Sequence, residues 1–223
     1  MKSFIITIDG PAGSGKTTVA KALAQKLNFD LLESGAFYRY ITWNFLKNSL
    51  NFEKFPTDEE LSNYLKEIFK KSEIRLSSSG TYIIFNGKIL QEELRSKEVD
   101  ELVSEVSANS IVRKEVNQYL RALAQGRRII TEGRDMGSVV FPEADLKIYL
   151  TADLEERAKR RAKDVNDRDF LEVKKNLLER DLKDSQRNIA PLSIPEGAIV
   201  IDTTHLTVEE VIGKIESLIK ERL

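Results

Sequence analysis

Short apolar runs alternate with amphipathic segments along most of this chain. Runs rich in β-branched residues that end in polar or glycine residues predict strands, and apolar residues recurring every three or four positions predict helices. The predicted core strands cover residues 5–8, 30–32, 127–131, 146–150 and 198–202. Five strands alternating with helices predict an α/β fold class, a doubly wound and mostly parallel sheet.

The pattern changes between residues 73 and 90, where an alternating run at 73–76 and a β-rich run at 81–85 replace helical spacing. Asn86-Gly87 is a strong hairpin signal between two β-rich runs. We therefore predict a small antiparallel sheet of about three strands. It lies in an inserted subdomain at about residues 51–107, within a single domain whose core is about 1–50 and 108–223. The polar stretch 164–169 breaks the helical period and predicts a lid at about residues 157–170.

The most informative motif for function directly follows the first strand, where the chain reads G-x-x-x-x-G-K-T. Glycines let backbone N–H groups close around phosphate oxygens, and the following helix adds the positive end of its dipole. Lys16 reaches the β- and γ-phosphates of a nucleotide, and Thr17 offers a hydroxyl to Mg²⁺. The predicted nucleotide-binding residues here are Gly10, Pro11, Ala12, Gly13, Ser14, Gly15, Lys16, Thr17 and Thr18.

Two further predictions come from the carboxyl ends of strands, where ligands bind in open α/β sheets. Arg39 lies one turn into the helix after the second strand, and Ser34 is predicted to cap that helix. Glu132 ends the strand at 127–131 and has two interpretations of equal weight. It holds Mg²⁺ through its waters, or it supports Arg134.

Arginines cluster on two predicted helices. Arg157, Arg160 and Arg161 share one turn, while Arg180, Asp184 and Arg187 share a face. Taken alone, such groups are usually solvated surface charge with helical ion pairs. Beside a phosphate loop, they are also what a closing, water-excluding lid would carry to a transferring phosphoryl group. On that interpretation we assign Arg161 and Arg187 to catalysis and Arg157 to nucleotide binding.

Composition narrows the function classes. The 35 Lys+Arg residues nearly balance the 36 Asp+Glu residues, so the net charge of −1 gives no overall attraction to nucleic acid or membranes. The absence of cysteine rules out disulfides, thiolate metal sites and cysteine nucleophiles, and a single histidine cannot build a His-rich metal site. We see no signal peptide or membrane span, and we expect a monomer in the cytoplasm.

Several segments together resemble bacterial cytidylate kinases, which are P-loop nucleoside monophosphate kinases. Besides the phosphate loop, they are S-G-A-F-Y-R from Ser34, G-R-D-M-G-S-V-V-F-P from Gly133, E-R-D from Glu179 and A-P-L from Ala190. The resemblance runs nearly end to end. Glu33 and Glu132 stand where this family usually has Asp.

The resemblance implies transfer of the ATP γ-phosphate to CMP or dCMP, and it implies roles for further residues. Ser34, Arg39 and Arg134 would lie near the CMP phosphate, with Arg134 also in the catalytic set. Ser104, Arg113 and Asp135 would recognise cytosine, and Arg180 and Asp184 would hold the sugar. Arg187 would act near the phosphates. The inserted sheet would belong to a monophosphate-binding subdomain.

Two other interpretations stay open on the residues alone. One is a phosphate-loop kinase for another small acceptor, such as UMP, AMP or shikimate. The other is a nucleotide-dependent switch of the GTPase type, which needs an N-K-x-D segment that the sequence lacks. A nucleic-acid-binding function is weaker still, because the chain is not basic overall.

Overall fold

Eight strands and eight helices make up the described fold. The computed structural model describes residues 3–164, 170–186 and 190–222. The strands are β1 (Phe4–Asp9), β2 (Asp30–Glu33), β3 (Ser72–Ser77), β4 (Gly80–Phe85), β5 (Lys88–Leu90), β6 (Arg128–Gly133), β7 (Leu146–Thr151) and β8 (Ile199–Asp202). The helices are α1 (Lys16–Leu27), α2 (Ser34–Lys47), α3 (Asp58–Lys70), α4 (Lys97–Ala108), α5 (Ser110–Ala124), α6 (Leu154–Asp164), α7 (Phe170–Ser185) and α8 (Val208–Lys220).

The central sheet is fully parallel and has the strand order β2-β6-β1-β7-β8. Successive residues of a strand face opposite sides, so one strand serves two hydrophobic cores. Leu31 and Ile130 pack with α1 and α8 on one side, whereas Leu32 and Ile129 pack with α2, α3 and α5 on the other. The prediction of a doubly wound α/β fold is confirmed.

A second sheet, in the order β3-β4-β5, is antiparallel throughout. Asn86 and Gly87 both have positive φ, of 50° and 76°, which is what a tight two-residue hairpin between β4 and β5 requires. The predicted three-stranded insertion is therefore confirmed.

The inserted sheet packs on the core, and two of its contacts lie near the predicted site. Thr81 of β4 donates its backbone N–H to the Glu33 carboxylate at 3.1 Å, and its hydroxyl accepts from Glu33 N at 2.8 Å. Further along β4, the Phe85 ring meets Trp43 of α2 edge-on, with the ring centroids 5.5 Å apart. The insertion is thus attached beside the carboxyl end of β2, where predicted acceptor residues begin.

Side chains cap the N-termini of several described helices, but the cap predicted at Ser34 is absent. Thr57, Asn109 and Thr207 accept backbone N–H groups as N-caps. Ser34 does not, because it is the first residue of α2, and its hydroxyl donates to Glu132 O on the neighbouring strand at 2.9 Å. A tertiary partner has displaced the predicted local cap.

Two further segments bear on the site, one following β6 and the other following α6. Residues Met136–Val140 form a π-helical turn, in a region that the sequence predicts as a loop or packed turn from residue 139. Of the predicted lid, residues 165–169 lie outside the described ranges, as does Arg187.

Candidate active site

The phosphate loop joins β1 to α1 at the centre of the sheet, where β1 lies between β6 and β7. Two of its glycines, Gly10 and Gly13, are tightly packed and have positive φ. A Cβ on Gly10, whose φ is 148°, would come within 2.0 Å of Leu150 O, and Gly13, with φ of 77°, packs closely on Arg157. The predicted glycine loop is therefore a tight turn held against β7 and α6.

Lys16 begins α1 and is only 5% exposed. Its Nζ donates to Pro11 O at 2.6 Å and lies 3.4 Å from Ser14 Oγ. Burial, followed by the nearby Arg134 guanidinium, holds the pKa of Lys16 well below its usual value. Neither Pro11 O nor Ser14 Oγ is an anion, so Lys16 Nζ forms no ion pair with any of the described residues.

Arg157 braces the loop from the first turns of α6. Its Nη1 donates to Ala12 O at 3.0 Å and to Asp181 Oδ2 at 2.5 Å, and its Nε donates to Ala152 O at 3.0 Å. Asp181 also accepts the Ala12 backbone N–H at 3.4 Å. This predicted nucleotide-binding arginine thus supports the loop backbone, and α7 contributes an unpredicted partner, Asp181.

Arg160, which the sequence analysis groups with Arg157 and Arg161, lies three residues after Arg157 on α6. It does pair with Glu156, at 2.9 Å, but its other nitrogens also reach Thr203 beyond β8, at 2.9 Å to Oγ1 and 2.6 Å to the carbonyl. Arg160 therefore ties α6 to the end of the last core strand.

The predicted cytosine-recognising residues are already joined to one another. Arg113 and Asp135 form an ion pair whose side chains are 2% and 3% exposed. Arg113 also donates to Ser107 O at 3.0 Å, and the Ser107 hydroxyl donates to Ser104 O at 3.1 Å. The structure thus brings α4, α5 and the end of β6 together around one buried guanidinium.

The predicted acceptor-phosphate and sugar residues form a second, more open group. Arg134 Nε donates to Asp184 Oδ2 at 2.9 Å. Burial, and then repulsion from Arg134, lowers the pKa of Arg180 to about 10. Within the described residues, the buried Arg180 Nε has no hydrogen-bond partner. The pKa of Arg180 is also lowered by the charges of Arg39 and Arg161, so several cations face one another here.

Arg39 reaches this region from α2, yet its guanidinium is engaged with the insertion. Its Nη1 donates to Leu94 O at 2.9 Å and its Nη2 to Asp100 Oδ1 at 2.6 Å. The two charged side chains are 21% and 31% exposed, so this pair is partly solvated.

The predicted Mg²⁺ ligands lie around the start of α1. Thr17 is exposed, whereas Glu132 is buried. Glu132 lies close enough to Lys16 to raise the pKa of that lysine, opposing the effect of burial. Among the described residues, His, Asp and Glu side chains form no group of three or more that could hold a metal ion.

Comparisons with known proteins identify the family of this chain. The cytidylate kinase family profile matches residues 6–221. A cytidylate kinase from Carboxydothermus hydrogenoformans is 42% identical over 220 residues, which is 96% of each chain. One from Thermotoga petrophila is 41% identical over 224 residues, covering 99% of this chain and 98% of its own.

One solved structure supports the fold alone. An uncharacterized protein from Eubacterium ventriosum superposes with a TM-score of 0.55 at 15% identity, covering 99% of this chain and 100% of its own. Along the described ranges, no helix is long and apolar enough to cross a membrane.

The sequence relatives and the family profile, both nearly full-length, show that the chain belongs to the cytidylate kinase family.

Proposed function

We propose that this protein transfers the γ-phosphoryl group of ATP to CMP and dCMP, giving CDP or dCDP and ADP. The observation that carries the proposal is the convergence of Lys16, Arg134 and Arg180 beside the phosphate loop of a cytidylate kinase family member. Burial, and then the charge of Arg134, lowers the pKa of both Lys16 and Arg180, which indicates a site with too little negative charge. Two nucleotide phosphate groups would supply it.

On the donor side, the loop amides and Lys16 hold the β- and γ-phosphates, with Arg157 keeping the loop in shape. On the acceptor side, Ser34, Arg39 and Arg134 hold the CMP phosphate. Arg161 acts on the transferring group from the lid, and Arg187 acts near the phosphates. The acceptor oxygen is already an anion, so the chain's task is alignment and charge stabilisation, and no general base is required.

Cytosine recognition falls to Ser104, Arg113 and Asp135, and sugar recognition to Arg180 and Asp184. Support comes from the burial of the Arg113–Asp135 pair, because a charged pair withdrawn from water distinguishes hydrogen-bonding patterns of bases strongly. The Arg113 guanidinium would offer hydrogen-bond donors to the edge of the base, and the Asp135 carboxylate would offer acceptors.

Mg²⁺ completes the proposal. The Thr17 hydroxyl and the Glu132 carboxylate are oxygen donors of the kind Mg²⁺ prefers, and Glu132 lies near Lys16, the residue before Thr17. When bound, the ion would neutralise charge on the β- and γ-phosphates. These two residues would hold it, with waters filling the remaining positions.

We further propose a monomer acting in the cytoplasm, with an inserted monophosphate-binding subdomain at about residues 51–107 and a lid at about 157–170. The hydrogen bonds between Thr81 of β4 and Glu33 support this subdomain assignment, because Glu33 directly precedes Ser34 of the proposed acceptor site. The near-zero net charge supports a protein without nucleic-acid or membrane partners.

The test is ADP release with ATP and Mg²⁺, offering CMP, dCMP, UMP, AMP, GMP and shikimate separately. We expect strong turnover with CMP and dCMP and little with the others. Turnover with a different acceptor would mean that the protein is a kinase but that the proposed cytosine contacts are wrong. Folded protein that binds ATP but releases no acceptor-dependent ADP would refute the proposal.

A further inference from the structure

Asp9 is the last residue of β1, directly before the phosphate loop, and its side chain is fully buried. One carboxylate oxygen accepts the backbone N–H of Met136 at 2.8 Å, and the other accepts that of Gly137 at 2.7 Å. These amides begin the π-helical turn that follows Arg134 and Asp135. A single side chain therefore joins the donor loop to a segment 127 residues further along the chain.

The turn needs this outside partner. The first amides of a helical turn have no acceptor within it, and the N-cap side chain usually supplies one. Here the N-cap residue is Asp135, which makes no such bond because its carboxylate pairs with Arg113. Asp9 caps the turn from another strand, and this leaves Asp135 available to hold Arg113.

The contact is closely fitted. A Cβ on Gly137 would lie 3.2 Å from Asp9 Oδ2 and 2.7 Å from Thr7 Oγ1, so the turn sits directly on β1. Both acceptors must be oxygens, because an amide side chain would present its NH₂ group to one backbone N–H. Burial raises the pKa of Asp9 to about 6, although its two amide hydrogen bonds oppose the rise. At neutral pH the site thus keeps an ionised group at an energetic cost.

We propose that Asp9 is a positioning residue for phosphoryl transfer: its carboxylate fixes the segment Arg134–Asp135 relative to the phosphate loop. The proposal rests on the proposed function, which puts the donor phosphates on one side of this contact and the acceptor on the other. In-line transfer requires the two to meet within a narrow range of distance and angle. A loosened contact would leave each half-site able to bind its nucleotide and would misalign the pair.

The test compares Asp9→Asn with the control Thr7→Val. Thr7 lies two residues earlier on the same strand, is equally buried, and has a hydroxyl without a hydrogen-bond partner in the described part of the chain. For Asp9→Asn we expect kcat to fall about 100-fold, because a displacement of about 1 Å has an effect of that size. KM for ATP and for CMP should each stay within about 3-fold. Thr7→Val should match the parent protein.

Each other outcome counts against the proposal. Unchanged kcat in a folded Asp9→Asn protein overturns it, and so does a parallel loss of affinity for both nucleotides, which would indicate a general packing role. If Asp9→Asn fails to fold, Gly137→Ala is the second variant, because its methyl group displaces the same turn. It should lower kcat with both KM values retained, and an unchanged kcat overturns the proposal. Turnover of CMP by the parent protein tests the proposed function separately.

Discussion

Two arginines near the candidate site, the buried Arg113 and the half-buried Arg180, have opposite surroundings. Arg113 donates to a carboxylate and a carbonyl, and its pKa lies above the usual value because Tyr38 and Asp135 outweigh the effect of burial. Arg180 has a buried Nε without a partner in the described ranges, and its pKa falls to about 10. The proposed cytosine-binding group is therefore neutralised within the protein, whereas the region around Arg180, the proposed sugar ligand beside the acceptor phosphate, keeps an excess of positive charge.

The difference indicates how the two halves contribute to function. A neutralised, buried pair adds rigidity and selects by shape and hydrogen bonding. A group of cations with too few counter-charges destabilises the empty protein and gains most when phosphate arrives. Substitutions in the first region should therefore reduce stability and specificity together, while substitutions in the second should reduce catalysis without reducing stability.

The largest expected effect is that of Lys16→Ala. We expect kcat to fall about 1,000-fold, since a cation directed at the transferring phosphoryl group is lost from a water-poor site. The melting temperature should be unchanged or higher, because the removed charge is buried and forms no ion pair within the described ranges. Steady-state kinetics and calorimetry measure both, with the exposed Lys21→Ala on the same helix as control. Near-normal turnover would exclude Lys16 from this role.

Arg113→Met should behave in the opposite way. Leaving Asp135 buried and unpaired should lower the free energy of unfolding by about 3–5 kcal/mol. CMP affinity should fall about 100-fold while ATP affinity stays the same. Denaturant unfolding measures the loss of stability, and titration calorimetry measures the affinity for each nucleotide. The control is Lys114→Met, an exposed residue on the same helix. Equal losses for CMP and ATP would contradict the cytosine assignment.

Arg180→Met tests whether the region around Arg180 carries excess positive charge, unlike the region around Arg113. Removing this cation should raise the free energy of unfolding by about 1 kcal/mol, because its depressed pKa reports an unfavourable charge. Millimolar inorganic phosphate should stabilise the parent protein more than this variant. Thermal unfolding with and without phosphate tests both points, and exposed Lys183→Met is the matched control. A variant less stable than the parent would contradict the charge-excess interpretation.

The smallest expected effect concerns Arg39, whose guanidinium is held by Asp100 in this structure. If the acceptor phosphate needs that guanidinium, the carboxylate competes with it. Asp100→Asn should then lower KM for CMP by about 3-fold, a size typical of partly solvated ion pairs. The neighbouring exposed Glu101→Gln should have no effect. A raised KM would mean that Asp100 orients Arg39 for the phosphate instead.

The fold was largely predictable because its signals are local. Apolar periodicity, the glycine loop and Asn86-Gly87 depend only on residues near them in the chain, and each was confirmed. The functional arrangement of side chains was less accessible. Ser34 fits a local cap, but Glu132 O on the adjacent strand takes its hydroxyl.

Long-range pairs gave no signal in the sequence. Arg39 and Asp100 are 61 residues apart, and Arg157 and Asp181 are 24 apart, so only the folded chain brings them together. Asp9 offered the one usable clue, an acidic residue ending an otherwise apolar strand. A buried strand end rarely carries a charge without a partner, which could have prompted a search for one.

The edge-on contact between Trp43 and Phe85 has an optical consequence. Trp43 is the single tryptophan in the sequence, and it lies on a core helix while Phe85 belongs to the insertion. The Lys47 ammonium group also sits 4.6 Å from both ring centroids. Any displacement of the inserted sheet changes the surroundings of this one indole. The protein therefore carries its own fluorophore at the junction, and rapid-mixing emission traces can follow the insertion without a label.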